Sequence, residues 1–149
     1  MLIVGLAIVV GVSVWLGVID WREHLLPDRL TRPLTAFVIV WLLVLGVVTN
    51  DVLRSVQALG WGLGAFVVFL ALSLAGMGGG DVKFAAPLGA TLGWFGWNSI
   101  SAAIFGLAIS AMAVVVVALA QGKGTKHRVA FGPAMVVGLL CGIVVGLVG

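Results

Sequence analysis

The chain has 149 residues, of which 62% are hydrophobic and only 9% charged, and its formal net charge is +3. Soluble domains carry about a quarter charged residues, so this composition excludes one and points to an integral membrane protein. The small positive charge also argues against nucleic acid as a partner, and the basic residues read instead as topology signals.

A membrane-spanning helix needs roughly 20 apolar residues. Met1 to Val4 bring no positive charge, and no small-x-small site follows the first apolar run, so a cleaved signal peptide is not expected. Leu2 to Ile19 is the first predicted span. A polar stretch follows, Asp20-Trp21-Arg22-Glu23-His24, and then Leu25-Leu26-Pro27-Asp28-Arg29-Leu30-Thr31-Arg32-Pro33. Leu34 to Val48 is the second span, closed by Thr49-Asn50-Asp51. Arg54 precedes the third, Val56 to Ala75. Next comes Met77-Gly78-Gly79-Gly80-Asp81-Val82-Lys83, read as a glycine-acid loop. The fourth span, Phe84 to Trp97, is short and holds Pro87; a start inside the membrane would recess the loop before it. Ile100 to Ala120 is the fifth span, Gln121 to Arg128 a basic loop, and Phe131 to Val148 the sixth span. The expected fold is therefore a single all-α membrane domain over residues 1–149, with six transmembrane helices.

The loops after spans one, three and five hold Arg22, Arg29, Arg32, Lys83, Lys123, Lys126 and Arg128, against Arg54 alone on the other side. This asymmetry predicts cytoplasmic odd-numbered loops and both termini outside. Small residues four apart (Gly60 and Gly64; Gly89 and Gly93; Gly138, Gly142 and Gly146) predict close helix packing, within one bundle or between copies in a homo-oligomer. Cys141 stands alone among Leu139, Leu140 and Ile143. It reads as a small apolar filler and can form neither an internal disulfide nor a multi-thiolate metal site.

Acidic residues at the edge of apolar spans are costly and therefore point to function. Asp20 ends span one and Asp81 follows span three, so topology brings both to the same membrane face. If spans one, three and four are neighbours, the two carboxylates meet. Two close carboxylates share a proton, as in aspartic proteases, where the ionised acid activates water and the protonated one polarises the scissile carbonyl. Paired acids equally suit proton relays and cation sites, so a small ion- or proton-coupled transporter is the alternative reading. A non-catalytic assembly subunit is a third.

Asp28, just after Pro27, reads as a helix start, and Lys83 as a topology charge or an electrostatic partner of the acids. Asp20, His24 and Asp28 recur every four residues, but Pro27 interrupts that face and the set is poor for zinc, so neither a metal nor a cofactor is expected. Ser13, Ser73, Ser101 and Ser110 lie in apolar helices without a base nearby in sequence; in-helix hydrogen bonding accounts for them. Lys123, Lys126, His127 and Arg128 set topology, with anionic lipid as a secondary partner.

Gly78-Gly79-Gly80-Asp81 resembles the GxGD signature of intramembrane aspartyl peptidases. Its continuation through Lys83 and Phe84 is similar to the GGDxK(L/F) element of type IV prepilin peptidases. Asp20 followed by Leu26-Pro27-Asp28-Arg29-Leu30-Thr31 resembles their D-x₆-PD-x-LT element, and Phe131-Gly132-Pro133-Ala134 their FGP segment. Three ordered motifs cover essentially the whole chain. The resemblance implies Asp20 and Asp81 as the catalytic pair, with Gly78, Gly79, Gly80, Lys83, Pro27 and Asp28 as the supporting loop residues. It implies a prepilin-like precursor in a prokaryotic cytoplasmic membrane, its short basic leader cut after a glycine ahead of an apolar helix. Larger relatives carry an N-terminal region, often with CxxC pairs, and methylate the new N-terminus. This chain starts at the first peptidase helix, so it resembles the short form of Tad/Flp-type and archaeal systems, and methyl transfer is not expected. Many relatives also have an acid where Arg22 stands.

Overall fold

The computed structural model describes residues 1–23, 28–74, 79–120 and 131–149. All secondary structure among them is helical: α1 Leu2–Glu23, α2 Asp28–Val48, α3 Val52–Leu74, α4 Gly79–Phe95, α5 Trp97–Ala120 and α6 Gly132–Val148. Four of these, α1, α2, α3 and α5, are long and apolar enough to cross a membrane. α4 and α6 have 17 residues each, about 26 Å at 1.5 Å per residue, which is shorter than a hydrocarbon core of about 30 Å.

The helices extend past the apolar runs that announce them. α1 continues through Asp20 to Glu23, and α2 begins at Asp28 instead of Leu34, carrying Pro33 inside it. The largest difference falls on the glycine-acid stretch, expected as a loop. Gly79, Gly80 and Asp81 form the first turn of α4. An acid is favoured at that position because the free N–H groups and the helix dipole give a helix N-terminus partial positive charge.

Glycines set the packing. α3 and α4 form the most extensive pair and run antiparallel. A Cβ on Gly62 would come within 2.8 Å of the Ala86 carbonyl oxygen, and one on Gly93 within 2.9 Å of the Ala58 Cα. The α3 glycine that packs is thus Gly62; Gly60 and Gly64, expected to pack, face open space. α5 and α6 form the second antiparallel pair, where Gly138 approaches Ala103 and Leu107, and Gly142 approaches the Ser99 carbonyl. Glycine allows such backbone approach without a hydrophobic drive between helices in lipid.

α4 is the hub, contacting α2, α3, α5 and α6. Most of its residues are buried, with Phe84 completely so. α3, by contrast, fully buries only Ser55, Ala58 and Gly62, a single stripe at helical spacing, with Leu59, Ala65 and Phe69 packed partly against the core. α1 packs on α6 and α2. Of the expected adjacency of spans one, three and four, the pairing of three with four is observed, whereas α1 has no extensive packing on either. The link between α1 and α4 runs through α2 and α6, each of which touches both.

Polar side chains mostly bond within their own helix. Ser73, Ser101 and Ser110 donate to the carbonyls of Leu70, Asn98 and Gly106 at 2.9, 2.9 and 2.7 Å. Ser13 departs from that expectation: its hydroxyl is buried with no partner among the described residues, as are the Ser99 hydroxyl and the Trp41 indole N–H. At the far end from the acids, Asp51 accepts the Arg54 backbone N–H at 3.1 Å. The Arg54 side chain donates from Nε to the Trp94 carbonyl at 2.7 Å, with its guanidinium 5.0 Å from the Trp94 ring centroid. Arg54 thereby caps the C-terminus of α4, where carbonyls lack helical partners.

Candidate active site

Antiparallel packing collects the C-terminus of α1 and the N-termini of α2, α4 and α6 at one end of the bundle. Asp20 sits one turn before the end of α1 and Asp81 in the first turn of α4. Both are buried, at 5% and 7% exposure. For two of the five acidic residues in so apolar a chain, that burial is costly unless each finds compensation.

Asp20 finds it on α6. Its Oδ2 accepts the backbone N–H of Gly132 at 2.8 Å. Phe131, the N-cap residue, contributes no side-chain cap, and Pro133 follows at the second helical position with no N–H of its own. Asp20 thus caps α6 from 112 residues away. The approach is made close by Gly17, one turn earlier on α1. A Cβ on Gly17 would lie 3.0 Å from Val136 Cγ2 and 3.7 Å from Pro133 Cα.

Asp81 is held differently. Its carboxyl pKa rises from the ordinary 3.8 to about 6, first through burial and then through the neighbouring Asp20 charge. Desolvation and a like charge both penalise the anion. Here they outweigh the opposing field of the α4 N-terminus. Asp81 is therefore a carboxyl that retains its proton far more readily than an exposed one, with a second carboxyl close enough to act on it.

Around the pair, Thr31 is buried on α2, and Lys83 is exposed on α4. Lys83, Thr31 and Arg32 border a cleft of about 470 Å³ together with Thr35, Phe66 and Ala86. A second groove, about 310 Å³ and lined solely by apolar residues and glycines, opens between α3 and α5 with α4 and α6 as its floor. On α4 its lining runs Ala85, Leu88, Gly89, Leu92, the helical stripe that begins at Asp81.

Of the residues singled out from sequence, the structure thus brings together Asp20 and Asp81, with Gly80 and Lys83 on the same helix as Asp81. Gly79 opens that helix and Asp28 opens α2. Pro27 and Gly78 lie outside the described residues, as do His24, Lys123, Lys126, His127 and Arg128. No cluster of three or more metal-ligating side chains occurs among the described residues. Gly17 and Gly132 were not anticipated as partners of Asp20. The available signal was a glycine placed directly before a proline at a helix start.

The sequence model of the type IV leader peptidase family matches residues 7–120, which include both buried acids. The chain belongs to that family. It is 30% identical over 131 residues to the prepilin leader peptidase/N-methyltransferase of Escherichia coli K12, covering 83% of this chain and 55% of that protein. It is 35% identical over 144 residues to leader peptidase HopD of Escherichia coli, covering 90% of this chain and 86% of HopD. The chain therefore spans about half the length of the first relative and most of the second. No solved structure matches it. Both relatives are peptidases by name, which leaves the transporter reading without support.

Proposed function

We propose that the protein is an aspartic leader peptidase that removes the short basic leader of a prepilin-like precursor, cutting after a glycine at the membrane boundary. The observation that carries this reading is the buried pair itself. One carboxyl, Asp81, holds its proton up to about pH 6, and the other, Asp20, accepts an N–H bond at a helix N-terminus. That is an acid and a base within electrostatic reach of each other, the combination that hydrolysis of an amide by water requires.

In the proposed reaction, Asp20 takes a proton from water as its oxygen attacks the scissile carbonyl carbon. Asp81 gives its proton to the carbonyl oxygen, forming a neutral gem-diol. Collapse of the diol returns a proton to Asp81, and the proton on Asp20 passes to the leaving amine as the C–N bond breaks. Each acid ends the cycle as it began, with no cofactor or metal in the scheme.

The precursor's apolar segment is assigned to the groove between α3 and α5, because its α4 lining continues the stripe that starts at Asp81. The loop charges support a topology with the acid-bearing end in the cytoplasm, six helices in the membrane and both termini outside. The leader would then be cut on the side where it is made.

The deciding experiment is co-expression with a small precursor carrying a basic leader, a glycine and an apolar segment. Leader-sized shortening on a gel, dependent on this protein, is the expected result. A precursor that stays full-length beside membrane-inserted protein would refute the proposal.

A further inference from the structure

We infer that Gly132 is a positioning residue for catalysis: its backbone N–H holds Oδ2 of Asp20, which fixes Asp20 as the base and Oδ1 as the oxygen that takes the proton from water. The inference rests on the peptidase reading above and goes beyond it by dividing the roles within the pair.

The geometry leaves little freedom. The Gly132 N–H stands 2.8 Å from Asp20 Oδ2. A Cβ at position 132 would lie 2.7 Å from that oxygen, 2.9 Å from the Asp20 Cβ and 3.1 Å from its Cγ. The obstruction runs from the tip of the Asp20 side chain to its root, so a larger residue at 132 displaces the carboxylate. Gly17 serves the same contact from α1, where its lack of a side chain lets the helix approach Val136 and Pro133.

The chemistry follows from what an amide can do. An N–H donates and cannot accept, so the oxygen it holds is not the one that carries a proton. With Oδ2 engaged by α6, only Oδ1 of Asp20 is left to receive the water proton. Asp81 sits buried beside a like charge, which suits the partner that enters the reaction protonated.

The test uses the full-length protein in detergent with a synthetic precursor peptide bearing a basic leader, a glycine and an apolar segment. Gly132→Ala is compared with Gly146→Ala. The control adds the same methyl to the same helix, against the Ser99 hydroxyl oxygen at 2.5 Å and the Phe95 Cβ at 2.6 Å, away from both acids and from the groove lining. Gly132→Ala is expected to lower kcat about 100-fold with KM within about threefold, the consequence of a misplaced reacting group. Gly146→Ala is expected to lose thermal stability but keep kcat within about threefold of wild type, since it touches no reacting group.

Gly17→Ala gives a second handle that does not depend on folding of the first variant. It should lower kcat by about tenfold, and Val136→Ala in the same chain should restore it by reopening the space. Wild-type turnover in Gly17→Ala and in any folded Gly132→Ala overturns the inference, as does an equal loss of kcat in Gly146→Ala. If Gly132→Ala does not accumulate in the membrane, the Gly17 and Val136 pair decides alone. A wild-type protein that never trims the peptide overturns the peptidase reading itself, which is a different result from turnover that ignores position 132.

Discussion

Asp20 and Asp81 stand on helices that share no extensive packing, yet the charge of the first raises the proton affinity of the second. The two acids are brought within reach by intermediaries. α6 and α2 each contact both α1 and α4, and α6 grips Asp20 directly. The pair is thus a property of the bundle, not of any one helix contact.

Replacing either acid by its amide should therefore stop the reaction without dismantling the fold. Asp20→Asn and Asp81→Asn are each expected to lower leader cleavage by about 10³-fold or more, since each removes one partner of a coupled proton transfer. Gel-shift processing in membranes, normalised to inserted protein, checks this. Full processing by either variant would remove that acid from the mechanism.

The pH dependence has a defined sign. Asp81 must be protonated to assist the carbonyl, and its pKa is raised to about 6. Cleavage should fall on the alkaline side, approaching a tenfold loss per pH unit above about 6. Initial rates between pH 5 and 8 test it, and a rate still rising at pH 8 would contradict it. The same shift acts on stability. Because the folded pKa exceeds the unfolded value of 3.8, the folded protein binds more protons between 3.8 and about 6. The stabilisation is complete below the unfolded pKa and is lost as pH rises through the folded one. Asp81→Asn should flatten that part of the stability profile.

Much of this was legible in the sequence, for reasons that differ by residue. The long apolar runs of α1, α2, α3 and α5 announce helices because lipid leaves the backbone no other partner than itself. Asp20 and Asp81 stand out because an acid beside such a run is expensive. What the sequence concealed is lateral arrangement. Hydropathy orders helices along the membrane normal but does not say which touch: spans three and four do pair, but α1 packs on α2 and α6 where spans three and four were the expected neighbours. Glycine spacing suggested Gly60 and Gly64 as packing positions, whereas Gly62 makes the contact, because four-residue spacing alone does not select the face. The glycine-acid stretch looked like a loop because three glycines weaken a helix. The acid beside the free N–H groups helps to open α4 there instead.

The contrast between glycines is itself testable. Gly93→Ala drives a methyl against the Ala58 backbone, with Cα at 2.9 Å and the carbonyl oxygen at 3.0 Å. Overpacking of this kind costs about 1–3 kcal/mol. Gly60→Ala meets nothing within 4 Å and should be neutral or stabilising by up to about 1 kcal/mol, as expected for glycine replaced in an open helical position. Thermal unfolding in one detergent, comparing the two variants with wild type, separates them. Equal destabilisation would place a partner surface on Gly60.

Arg54 offers the last prediction, and it runs against the usual reading of a lone charge outside the basic loops. Its guanidinium donates to the Trp94 carbonyl at 2.7 Å and lies 5.0 Å from the Trp94 ring centroid. It therefore ties the start of α3 to the end of α4, the helix that carries Asp81 at its other end. Losing one charged hydrogen bond and one exposed cation–π contact should cost about 1–2 kcal/mol. Arg54→Lys keeps the charge but not the planar group, and should recover only part of it. Because the acids sit at the opposite end of α4, kcat of the folded fraction should remain within about threefold of wild type while the unfolding temperature drops. Loss of kcat at full stability would mean that the register of α4 is transmitted along its length to Asp81, and that the α4 C-terminus is part of how the acid pair is set.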